Sequence, residues 1–331
     1  MQILQSRRDF MASLSSAGAA GIVGARSSLG DEAPPEVTTI RLRKSRAICL
    51  APRYLAGDLL RAEGFTDVQY IPDLPFDAVA HGDLDLELLT ASSIVSQLDA
   101  GKPITALAGM HPGCYELFAH EPIRTVIDLK DRKVGIRTLD SGEHLLIAIM
   151  ARHVGLDPKA DIEWVVPADG NAMQLYVAGE VDAFLGFPPE PQELRVRKVG
   201  RVILNMTTNQ PWSQYFCCMA CAKRDFVRNY PVATKRALRA ILKATDICAA
   251  DPEWAAQRLV DEAFAERYET ALQVLTELPY NVWREYDPED SLRFYALRLH
   301  EVGMIESSPN ALLAEGTDWR FLNELKRELK A

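Results

Sequence analysis

Long apolar runs are missing from this 331-residue chain: none approaches the length of a bilayer span, so the mature protein is expected not to insert directly into a membrane. Basic charge is also in short supply. Thirty-seven lysines and arginines face 46 aspartates and glutamates, a formal charge of −9, which makes nucleic acid and anionic membrane surfaces poor partners. The familiar catalytic signatures are absent too. There is no HExxH, no GxSxG nucleophile elbow, no P-loop and no complete GxGxxG, and the six histidines (His81, His111, His120, His144, His153 and His300) show no metal spacing. These gaps favour binding over catalysis, with no catalytic residue, no cofactor and no metal expected. With 48% hydrophobic and 25% charged residues, the chain has the composition of a soluble globular protein of about two domains.

What the chain does contain is one pattern used twice. Residues 133–187 read as strand, turn, helix, strand, helix, strand: KVGI, an apolar-periodic run from Glu143 to His153 closed by Gly155, DIEWVV, a helix ending at Gly179, and GEVDAFLGF. Residues 40–94 follow the same order, with TIRLRK, a helix from Pro52 to Glu63 closed by Gly64, VQYI, a helical stretch to Gly82, and GDLDLELLT. The turns Gly82-Asp83-Leu84-Asp85 and Gly179-Glu180-Val181-Asp182 match closely, and their recurring acids suggest architecture before acid–base work. Such a β-α-β-α-β unit implies an α/β fold with a mostly parallel sheet flanked by helices and right-handed crossovers. Ligands of open sheets of this kind bind beyond the carboxyl ends of the strands, at helix N-termini. Two units in one chain therefore suggest two lobes facing a shared cleft.

The N-terminus reads SRRDFMASLSSAGAAGIVGA, an arginine pair, Phe10 and a weakly apolar run of small residues, which matches a twin-arginine export signal. Val23-Gly24-Ala25 is a cleavage site of small residues, and residues 26–36 read as a flexible leader. Export to a bacterial periplasm is expected.

The loops at strand ends supply the candidate contacts. Arg46, Ile48 and Cys49 follow the first strand. Ser92 and Ser93 start a helix after the third, and Ser141, Gly142 and Glu143 start another in the second unit. Serines at these places either cap the helix or hold the polar end of a ligand. Glu190 follows the last strand of the second unit as either a solvated charge or a ligand contact. PIRTVIDLKDRK, residues 122–133, is expected to be the first passage between the lobes, and the polar stretch 205–213 with the apolar Tyr215–Ala222 the second. Trp212 and Tyr215 at that passage either stack on a ligand or pack the crossover. The cysteines of Cys217-Cys218-Met219-Ala220-Cys221 lack a second pair at zinc-finger spacing and are read as small hydrophobes in a strand, with a disulfide or a metal site the alternatives. From Asp225 onward the chain is a helical tail.

The exported leader, the repeated unit, VIDLKDRKVGIRTLDSGEHLL, AGEVDAF and the helical tail together resemble the solute-binding proteins of ABC importers for nitrate, taurine, alkanesulfonates and thiamine-pyrimidine precursors, over about the whole mature chain. The resemblance implies a two-lobed periplasmic binding protein fold of type II, joined by a two-strand hinge. It implies residues 1–25 as signal peptide, 26–36 as leader, 37–128 as the first part of lobe 1, 129–208 as lobe 2, and 209–331 as the return to lobe 1 with the C-terminal helices. It further implies a monomeric, non-enzymatic receptor that closes on a small polar or anionic solute and delivers it to an ABC permease and its ATPase. A pyrimidine synthase of the same superfamily looks alike and carries CCCFC, but CCMAC has Met219 and Ala220 at its third and fourth places. A pyrimidine-precursor synthase-like enzyme and a periplasmic ligand-sensor subunit remain the alternative expectations.

Overall fold

Ten strands punctuate the computed structural model, which describes residues 32–329; the arginine pair and the cleavage site lie outside the described residues. In chain order the strands are β1 (Thr39–Arg43), β2 (Asp67–Ile71), β3 (Leu86–Thr90), β4 (Ile104–Pro112), β5 (Glu116–Ala119), β6 (Arg132–Gly135), β7 (Ile162–Val165), β8 (Ala183–Gly186), β9 (Arg201–Asn205) and β10 (Phe216–Lys223). The second unit forms a five-stranded sheet in the order β7-β6-β8-β5-β9, with β6 parallel to both β7 and β8 and β5 antiparallel to β8 and β9. In the first unit β1 pairs with β2 in parallel, and β10 lies between β3 and β4, antiparallel to both. The two repeats thus belong to different sheets. The fold is α/β with mixed sheets and a helical C-terminal region.

The repeated glycine turn has a structural cause. Gly82 (φ 86°) and Gly179 (φ 74°) end short helices in the left-handed conformation that glycine adopts without steric cost. Three residues later Asp85 donates its N–H to the carbonyl of Arg41 (3.0 Å), while its carboxylate accepts the Arg41 N–H (2.8 Å). Asp182 does the same for Lys133: N–H to carbonyl at 2.8 Å, and carboxylate accepting the Lys133 N–H at 2.8 Å. Each aspartate clips the third strand of its unit to the first. Asp85→Ala should therefore cost about 1–3 kcal/mol in chemical denaturation, because it strips a partner from the Arg41 N–H and also from the Arg41 guanidinium, bound at 2.6 Å. Asp83→Ala, at an exposed position in the same turn, should cost close to nothing.

The passages between sheets differ in place from the expected ones. The chain leaves the first sheet at Pro112 and enters the second at Glu116, so residues 113–115 make the first passage, ahead of the stretch 122–133. The reason is β5, a four-residue strand too short to show an apolar period, which inserts antiparallel between β8 and β9. The return runs from β9 through Trp212–Gln214, a single 3-10 turn, into β10.

Other sequence expectations shift slightly. The helix expected over 52–63 is two pieces, Ala51–Leu55 and Gly57–Ala62. The tail contains helices Pro231–Ala250, Pro252–Asp261, Tyr268–Glu277, Pro288–Glu301 and Arg320–Glu328 as expected, plus Pro309–Gly316. Four of them open with proline, and the Asp251, Asp287 and Ser308 side chains accept the first free N–H groups. Glu36, at the end of the leader, accepts the N–H groups of Val232 and Ala233 at 2.9 and 2.7 Å and so ties residue 36 to the start of helix Pro231–Ala250. The tail packs on helices Ala51–Leu55 and Ala91–Asp99 and on β4. It also reaches the second sheet's side, where Glu277 binds Arg195 at 2.7 Å. Among the described residues no helix is long and apolar enough to cross a membrane.

Candidate functional site

Strand β3 ends at Thr90, whose hydroxyl accepts the Ser93 N–H (3.2 Å) and caps helix Ala91–Asp99. Strand β6 ends two residues before Arg137, and Ser141 caps helix Gly142–His153 through the His144 N–H. These two helix starts meet. A Cβ placed on Gly142 would stand 3.2 Å from the Thr90 hydroxyl and 3.3 Å from that of Ser93, so this glycine is what allows the close approach. Ser92 and Ser93 are fully buried there. On the opposite flank the Ile48 N–H donates to the carbonyl of Pro188 (3.2 Å), joining the loop after β1 to the loop after β8.

Arg137 organises the charge. Its guanidinium pairs with both Glu143 and Glu190 and lies 4.5 Å from the centre of the Phe187 ring. Glu143 is buried in the first turn of its helix, where a negative charge is favoured by the helix dipole. Glu190 accepts the Phe187 N–H at 3.2 Å, and burial pushes its carboxyl above the usual range against the pull of Arg137. The trio carries one net negative charge. Tyr115, from the first passage, closes on Phe187 edge to face at 5.7 Å.

Of the residues singled out in the sequence, Ile48, Ser92, Ser93, Ser141, Gly142, Glu143 and Glu190 therefore lie at or within the first turns of helices brought together by these contacts. Cys49 sits beneath them, buried. Arg46 lies elsewhere: its side chain is 92% exposed, pairs with Glu266 at 3.4 Å and borders a surface concavity of about 770 Å³ with Lys44 and Phe264. Trp212 is buried against His153 and Phe294, and Tyr215 stacks on Phe294 at 3.9 Å. Both rings pack the crossover. Thr90, Arg137, Phe187 and Tyr115 were not singled out. For Arg137 a signal existed: aligning the two aspartate clips equates Arg41 with Lys133, hence Ser45 with Arg137, at the carboxyl end of the first strand of each unit.

His144 adds a pH dependence beside the site. The Asp140 N–H donates to its Nδ1 (2.9 Å), which requires a neutral ring, and Trp164 meets it edge-on at 4.6 Å. Burial holds the imidazole below the ordinary histidine value. Between that value, about 6.5, and the depressed folded value the unfolded chain binds more protons, so stability is lost as pH falls through this window. His144→Gln should flatten that slope, read as the difference between wild-type and variant urea midpoints from about pH 7 to 5.

A third cluster lies at the base of the passages. Cys49, His111, Cys114 and Cys218 are all buried, with donor atoms within 4.8 Å of one another, and the Cys114 sulfur is 3.8 Å from Cys217 and 4.0 Å from Cys218. All six cysteines are free thiols. The hydrogen bond with Cys114 is the largest influence on Cys218, whose thiol is held below the usual range.

The structure shares its fold with the periplasmic nitrate-binding protein NrtA from Synechocystis PCC 6803 (TM-score 0.77, 16% identity, 90% of each chain covered). It also matches the alkanesulfonate-binding protein SsuA from Xanthomonas axonopodis pv. citri bound to MOPS (TM-score 0.70, 16% identity, 86% of this chain and 99% of that one). The desulfurization enzyme DSZB has the same fold at lower similarity (TM-score 0.58, 14% identity, 88% of this chain and 99% of that one). No curated protein matches the sequence. The model of the NMT1-like family matches residues 77–260, more than half of the sequence, and the chain accordingly belongs to that family.

Proposed function

We propose that the protein is the periplasmic solute-binding component of an ABC importer, with two lobes, one built on β1–β4 with β10 and the other on the five-stranded sheet, that close on a small polar organic solute. The observation that carries this reading is the meeting of the Ala91–Asp99 and Gly142–His153 helix starts, from different sheets, around Arg137, Glu143 and Glu190. Helix N-termini and the Thr90, Ser92 and Ser93 hydroxyls suit an acceptor group on the solute. The excess carboxylate suits a donor or cationic group, and Phe187 and Tyr115 supply an apolar wall. A bare inorganic anion fits less well, since Arg137 is already shared by two carboxylates and Arg46 turns to solvent. The family membership and the fold of nitrate- and sulfonate-binding proteins support a receptor role. Closure would bury the solute, and a permease would recognise the closed form.

Thermal-shift measurements with nitrate, taurine, alkanesulfonates, aromatic carboxylates and pyrimidine amines test the reading. A solute at 100 times its Kd should add about 2.7 kcal/mol of stability. An amine- or amide-bearing organic solute is expected to give the largest shift; stabilisation by nitrate alone would reject the proposed solute class, and silence across the whole panel would count against the receptor reading.

A further inference from the structure

The geometry points to a thiolate-rich metal site at the hinge, in which Cys49, His111, Cys114 and Cys218 bind a zinc-class divalent cation. The four donors come from separate places: a 3-10 turn after β1, the end of β4, the first passage between sheets, and the start of β10. A tetrahedral zinc, about 2.3 Å from sulfur and about 2.0 Å from nitrogen, sets donor separations of about 3.3–3.8 Å. The Cys114–Cys218 separation of 4.0 Å needs contraction of only a few tenths of an ångström, and a set spanning no more than 4.8 Å needs at most about 1–1.5 Å at its widest pair, to meet that geometry.

Three further observations show that the cluster is more than cysteines filling a core. His111 is fully buried; its Nδ1 lies 3.2 Å from the Pro112 carbonyl, while Nε2 makes no hydrogen bond of ordinary geometry among the described residues and has the Cys218 sulfur as its neighbour. A histidine that donates one ring N–H to a backbone carbonyl and keeps the other nitrogen bare is arranged as a metal ligand. Cys114 has φ 115°, a backbone conformation unfavourable for a side-chain-bearing residue, and such outliers cluster at functional positions. The register of β10 against β4 also shifts on both sides of Cys218, an irregularity of the kind that re-aims a side chain.

Charge balance agrees. Three thiolates and one divalent ion leave a net charge of −1. Beside Cys49 the buried group Arg43, Arg53 and Glu87 carries +1. Tyr280 braces the site, donating to the Cys49 carbonyl at 2.7 Å and meeting His111 edge-on at 5.2 Å. Binding would release three thiol protons to solvent with no change in oxidation state. The site is distinct from the Arg137 cleft, so it stands or falls apart from the proposed solute.

The test is metal analysis of the purified protein, kept reduced, after zinc loading and desalting, followed by cobalt substitution. One zinc per chain is expected. Cobalt should give an intense near-ultraviolet thiolate-to-metal band and the visible bands of a tetrahedral ion. His111→Ala, Cys114→Ala and Cys218→Ala should each lose the equivalent of metal, while Cys248→Ala, a buried cysteine outside the cluster, should keep it. Folded, reduced wild-type protein that takes up neither zinc nor cobalt would overturn the inference, and this outcome does not depend on the variants folding. Cobalt bound without the thiolate band would overturn it as well. So would a Cys114 disulfide persisting in reductant.

Discussion

Replacing Glu87 with alanine is expected to cost about 3–5 kcal/mol of folding free energy, because it removes the carboxylate that two arginines share inside the first unit. Arg53 is fully buried and donates to Glu87 at 2.6 Å; Arg43 binds the other carboxylate oxygen. The second terminal nitrogen of Arg53 donates to the Ser45 and Tyr54 hydroxyls, both at 2.8 Å. Without Glu87 the group changes from one net positive charge to two, with Arg53 fully buried and Arg43 only partly exposed to solvent. Arg53→Met has the opposite consequence. It leaves a neutral Arg43–Glu87 pair and an apolar side chain of similar length, so its cost should be well below that of Glu87→Ala. Glu87→Gln should fall between them, since its single amide oxygen can still accept from one arginine while its NH2 cannot accept from the other and the charge is lost. Guanidinium-induced unfolding of the three variants gives the order. Equal losses in Glu87→Ala and Arg53→Met would show that packing, and not charge, dominates.

This network also shows where sequence reading stops. The repeated β-α-β-α-β order was legible because its signals are local: apolar periods, glycine turns and the aspartate three residues after each glycine. Asp85 and Asp182 were read as architectural, and the clips they make to Arg41 and Lys133 give that reading a mechanism. Glu87 gave no such sign. A glutamate in LELLT contradicts a buried strand unless its partners are known, and Arg43 and Arg53 lie 44 and 34 residues away. The cysteine cluster is opaque for the same reason. CCMAC drew attention, but only Cys218 of it joins the four-donor set; the others come from 49, 111 and 114, and no local spacing encodes that convergence. Ser141 caps its helix as its place in the sequence suggests, whereas Ser92 and Ser93 fall inside a helix that Thr90 caps. The roles of aromatic side chains were not legible, because Trp212 and Tyr215 find Phe294 in the distant tail, a contact set by tertiary packing alone.

Arg137→Ala should weaken solute binding on the order of 100-fold, within the 2–5 kcal/mol range for truncating one partner of a buried charge pair. The guanidinium holds Glu143 and Glu190 in one geometry and rests on Phe187, so its loss leaves a buried and a partly buried carboxylate without their shared cation. Glu190 already sits above the ordinary carboxylate range through burial, with Arg137 opposing that rise. Removing the arginine lets it rise further. Affinity of the variant for a donor-bearing solute should therefore fall as pH is lowered, over a range where the wild type is less sensitive, because protonation removes the acceptor. Glu190→Gln separates the solute classes. If Glu190 receives a donor or cationic group, the amide should lose affinity in titration calorimetry. If the solute is a bare anion, removing the negative charge should leave affinity unchanged or raise it, and the solute class proposed for this cleft would be wrong even though the receptor itself remained.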